Sequence, residues 1–176
     1  MARVHLHAAV FAWQRAASRY FPDKFFLQAG FDIGRQIVML AMGDLDTAVG
    51  EAELLASRTE DPDLLLEVKY LLADADFERL KTLQEEHPKW IEDDEVRPER
   101  NEIYHRIIDQ YLWPHLFHAT RTNAAARGLL GAGRVYEFAG ETELARSAYK
   151  DLEALYPESS SHEEAAERVV TLSHNE

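Results

Sequence analysis

Apolar residues recur every three or four positions along this chain, and no segment alternates between apolar and polar positions. That period predicts helices throughout and no strand. The first helix runs from about Arg3 to Tyr20 and stops before Pro22, because the residue before a proline is disfavoured in helical geometry. A second covers about Lys24 to Met42. Gly43-Asp44 ends it and offers Asp44 as the cap of a third, reaching about Ser57. Asp61-Pro62 starts a fourth, with a capping carboxylate followed by proline at the first helical position. It continues to Glu86 or breaks near Asp74 to Asp76.

Residues 87–100, HPKWIEDDEVRPER, interrupt the pattern. Two prolines and five acidic residues predict an irregular linker within a single domain spanning 1–176. Asn101 caps a fifth helix that Pro114 kinks or ends. A helical hairpin occupies about Asn123 to Tyr156, broken at Gly140. A closing helix covers about 160–173. Its start carries two overlapping capping boxes, Ser160-x-x-Glu163 and Ser161-x-x-Glu164. It sets Ala165, Ala166, Val169 and Val170 on one side and glutamates on the other, as a terminal cap does. The fold class is all-α, with about eight helices.

The stretch 126–159, ARGLLGAGRVYEFAGETELARSAYKDLEALYPES, carries the most specific spacing. Leu129, Ala132, Gly133 and Tyr136 fall on one helical stripe. Ala145 and Tyr149 begin the inward face of the next helix, and Pro157 closes it. Over these residues the chain resembles one unit, of about 34 residues, of the tetratricopeptide family. Leu129, Ala132 and Leu152 depart from the family's preferences for Trp, Leu and a small residue. Gly43-x4-Ala48 repeats the spacing of Gly140-x4-Ala145. The ending Tyr156-Pro157-Glu158-Ser159, followed by Ala165, is similar to endings in bacterial envelope tetratricopeptide proteins. The resemblance implies stacked helical hairpins, an α-solenoid, acting as a non-catalytic scaffold or adaptor. It further implies that one face of the first hairpin helix contacts an extended peptide or a partner helix. Those positions here are Arg127, Leu130, Arg134, Glu137 and Phe138. Arg127 and Arg134 lie about two turns apart on one face and are placed to clamp a partner carboxylate. The plainer alternative pairs both with the chain's own glutamates.

Composition narrows the partner. The 176 residues are 46% hydrophobic and 29% charged, with 32 acidic against 19 basic residues and a formal net charge of −13. Such a charge disfavours nucleic acid and anionic membranes and leaves a protein or peptide, with self-association as a further option. The apolar run Ala8 to Trp13 is too short to cross a membrane and lacks the form of a signal peptide. Met1 as the native start would favour the cytoplasm, and a trimmed chain would leave the bacterial periplasm open. There is no cysteine, which removes disulfides, thiolate nucleophiles and Cys-based zinc sites.

The competing chemistry is thin. Glu102-x-x-His105 has the spacing of a di-iron ligand pair, but no second copy follows. His115-x-x-His118 and His5-x-His7 each offer two ligands where a structural zinc takes four. A helical metal protein or enzyme using Glu102, His105, His115 and His118 is the alternative to the scaffold. Asp74, Asp76, Asp93, Asp94 and Glu95 read as one solvated acidic surface rather than an acid–base pair. Gly128-x-x-Gly131-x-Gly133 lies inside a helical pattern, without the preceding strand of a phosphate loop, so no cofactor is expected. The segment Tyr104 to His118 is the most aromatic, and Tyr111, Trp113 and Phe117 are either core filling or a sticky patch.

Overall fold

The structure, a computed structural model, describes residues 45–58 and 60–174. Within them lie six α-helices and no strand: α1 (Leu45–Ala56), α2 (Pro62–Glu86), α3 (Val96–Phe117), α4 (Thr122–Phe138), α5 (Thr142–Leu155) and α6 (His162–His174). The helices expected over 3–20 and 24–42, and the pair His5 and His7, fall outside the described residues. No described helix is long and apolar enough to cross a membrane. The chain divides into two compact units, Met1–Ala75 and Asp76–Glu176.

In the first unit, Asp61 Oδ1 accepts the backbone N–H of Asp63 at 2.9 Å and of Leu64 at 3.4 Å, so the Asp-Pro start of α2 is a side-chain cap. Leu64, Val68, Leu71 and Ala75 form one buried stripe, and Leu66, Tyr70 and Ala73 form another. α2 does not break at Asp74 to Asp76 and runs on to Glu86.

In the second unit each helix packs on the next: α3 on α4, α4 on α5, α5 on α6. The links at 118–121, 139–141 and 156–161 are short, which turns each helix back along its predecessor. The linker expected over 87–100 is largely structured. Trp90–Glu92 forms a 3-10 turn, and α3 begins at Val96, five residues before the expected cap at Asn101. Asp93 causes this, because its Oδ1 accepts the N–H of Glu95 at 3.0 Å and of Val96 at 3.1 Å. Pro98 is accommodated because its fixed φ suits a helix; the N–H of Arg97 before it already reaches the Asp93 carbonyl at 2.9 Å, so the proline forgoes a single backbone hydrogen bond near the helix start. Pro114 does not end α3 either; its carbonyl accepts the N–H of His118 at 2.8 Å, one turn on.

Gly140, at φ +77°, closes α4. The N–H of Glu141 reaches the carbonyl of Tyr136 at 2.9 Å and that of Gly140 reaches Glu137 at 3.0 Å, the paired bonds of a Schellman ending. Only a residue without Cβ takes that φ without strain. The core of this unit is Ala125, Ala126, Leu129, Leu130, Ala145, Tyr149, Leu152, Tyr156 and Ala165. Leu152 is fully buried in it.

Candidate partner-binding face

α4 is the helix on which the expected site lies, and two glycines fix its position. A Cβ at Gly131 would stand 2.5 Å from Cδ1 of Tyr111 on α3, and one at Gly133 would overlap the Tyr149 ring of α5. The rings occupy the space that side chains would fill, one on either side of α4. Nine of its residues are buried as a result, Leu130 among them.

The remaining edge of α4 is charged. Arg134 binds Glu164 of α6 in a fork, with Nε to Oε1 at 3.1 Å and its terminal nitrogen to Oε1 and Oε2 at 2.6 and 2.7 Å. Arg168 of α6 donates back to Glu137 at 3.3 Å. Burial lowers the Arg134 pKa, and the hydrogen bonds and charge of Glu164 outweigh it, so the net direction is up. Phe138 meets Phe77 edge-on at 5.4 Å. Arg127 is exposed one turn before the buried Leu130. The five expected contact residues therefore divide. Arg127, Arg134, Glu137 and Phe138 reach the outer edge, and Leu130 turns into the core. Glu164, expected to close a capping box, is engaged across the helices instead.

Beneath this charge lattice lies the Tyr149 hydroxyl. It is fully buried and has no hydrogen-bond partner. Burial raises its pKa first and Glu137 adds to the rise, while Arg168 and Arg134 oppose it.

The residues of the metal reading do not converge. Glu102 lies against Arg106 at 3.9 Å, and His105 packs edge-on against Tyr104. His115 Nδ1 lies 2.8 Å from the Tyr156 hydroxyl, and the His118 ring lies 4.5 Å from Trp113. No group of three or more His, Asp or Glu side chains suited to a metal occurs among the described residues.

The aromatic segment splits. Tyr111 is core, seated on Gly131, whereas Phe117 is 68% exposed beside the half-buried Trp113.

The acidic residues also separate, against the expectation of one solvated surface. Asp76 is buried and takes Arg106 in a two-point pair, at 2.7 and 2.9 Å. Asp93 caps α3, and its two backbone hydrogen bonds hold its pKa below the usual 3.8. Periodicity gave no sign of Arg100, whose buried guanidinium lies between the rings of Trp90 and Tyr104 and donates from Nε to Gln84. Nearby, the Tyr104 hydroxyl donates to Glu141, tying α3 to the start of α5.

Comparison with protein families, with curated proteins and with solved structures finds no match for this chain.

Proposed function

We propose that the chain is a non-catalytic scaffold of tetratricopeptide-like stacked hairpins that binds a protein or peptide segment along the outer edge of α4. The observation that carries this is the seating of α4 between two tyrosine rings at Gly131 and Gly133. A helix held on both sides presents Arg127, Arg134, Glu137 and Phe138 in a fixed register, and a preorganised face loses little entropy when a partner docks. The Arg134–Glu164 fork is half exposed, so its arginine remains within reach of an incoming carboxylate. Sequential packing from α3 to α6 agrees with the stacked-hairpin reading.

The test is quantitative affinity capture with the full chain and with an Arg127→Glu, Arg134→Glu variant whose helicity and melt match the parent. A protein retained by the parent and lost by the variant supports the face. Equal retention by both removes these arginines from it.

A further inference from the structure

α6 is fixed less completely than α3, α4 and α5. Only Ala165 is buried, with Val169 and Leu172 partly covered against the core and Val170 57% exposed. Among the described residues, the buried side-chain atoms Tyr149 Oη, Ser159 Oγ and His162 Nδ1 have no hydrogen-bond partner. All three lie where α6 docks. Tyr149 feels the charges of Glu164 and Arg168, and Ser159 and His162 belong to the link and the first residue of α6. Native interiors satisfy nearly all such groups, so three around one short helix mark a seat whose occupant is held without full hydrogen bonding. Arg146 adds a bond from a terminal nitrogen to the carbonyl of Leu172.

The seat has a definite complement. It takes a small residue against α5, an acid one position before it facing Arg134, and a base three positions after it facing Glu137. The chain carries that pattern as Glu164-Ala165-x-x-Arg168. The link at 156–161, between α5 and α6, contains Pro157 and Glu158, both exposed. We infer that α6 is an exchangeable element: it leaves its own seat and the α6 of a second copy takes its place, remaking the same contacts between chains. Exchange of an identical element keeps the interface and alters only the link, which makes it a low-cost route to a dimer. The seat shares Arg134 and Glu137 with the proposed binding edge of α4, but exchange is read as self-association of the purified chain and so is tested apart from capture of another protein.

Two full-length variants test it. One reverses α4 (Arg134→Glu with Glu137→Arg) and the other reverses α6 (Glu164→Arg with Arg168→Glu). Alone, each opposes like charges in its own chain and in any dimer with itself. Mixed in equal amounts, each α6 matches the other chain's α4. Sedimentation velocity is expected to show at least a tenfold larger dimer fraction in the mixture than in either variant alone. A mixture that sediments as the sum of its parts overturns the inference, provided that the chain carrying all four changes melts as the parent does. Should either variant fail to fold, hydrogen exchange on the parent decides. Amides of 165–172 opening at least a hundredfold faster than those of 128–135 support exchange, and equal protection of the two segments overturns it.

Discussion

α4 buries nine residues and admits an aromatic ring on each side; α6, two helices later in the same unit, buries one and reaches α4 through long charged side chains. Both are short helices with acidic and basic residues on their outer surfaces. The difference is the size of the side chains at the contact. Glycine and alanine bring another element to van der Waals range, where displacement loses many contacts at once. Arginine and glutamate span a wider gap that solvent enters, and an exposed ion pair contributes about 0–1 kcal/mol. α4 is therefore located by packing on two sides, whereas α6 packs on α5 through Ala165 and meets α4 through charge.

Four substitutions grade this contrast. Tyr149→Ala empties the space against Gly133 and is expected to destabilise by about 3–5 kcal/mol in urea unfolding. A loss below about 1 kcal/mol would mean that α4 and α5 meet elsewhere. Gly133→Leu drives a side chain into that ring and is expected to cost about 1–3 kcal/mol, read as a lowered melting temperature. Tyr149→Phe removes the unpartnered hydroxyl and keeps the ring. It is expected to leave stability unchanged or raise it by up to about 1 kcal/mol, whereas a clear loss would reveal a partner for that oxygen. Arg134→Ala is the mildest, below about 1 kcal/mol at low salt and less at high salt. A larger loss, unaffected by salt, would show α6 to be held as firmly as α4.

Alkaline pH sharpens the third comparison. Burial raises the pKa of Tyr149 above its usual 10.0, as it does for Tyr104, Tyr136 and Tyr156. The folded chain keeps these protons after the unfolded chain begins to release them near pH 10. Their contribution is thus full below pH 10 and is lost as pH rises from there towards the folded values. Tyr149→Phe is expected to shrink that alkaline loss in a pH series of urea midpoints. An unchanged alkaline limb would place the titrating groups elsewhere.

The hairpin was legible because its signals are local. Gly140 ends one helix through its own φ, and small residues recur at helical spacing on either side of it. The cap at Asp61 was legible for the same reason. The start of α3 was not, because prolines and acids in a row suggest a loop unless Asp93 is recognised as a cap and Pro98 as a first-turn residue. Periodicity singles out an inward stripe but does not assign a neighbour to each residue. The glycines at 128, 131 and 133 point to close helix packing without naming the partner; that Gly131 faces Tyr111 while Gly133 faces Tyr149 depends on α3 and α5 flanking α4. Nor does sequence alone pair Asp76 with Arg106, or Arg134 with Glu164, across intervening turns. Leu130 was misplaced for a related reason: a helix with neighbours on two sides buries more than one stripe.

The glycine–tyrosine contacts also constrain how this sequence can drift over time. Enlarging Gly131 or Gly133 is harmful while the facing ring remains, and trimming either ring is harmful while the glycine remains. Each pair is thus an evolutionary ratchet, free to change only when both members change together. Divergent descendants of this chain should retain or abandon each glycine along with its aromatic partner.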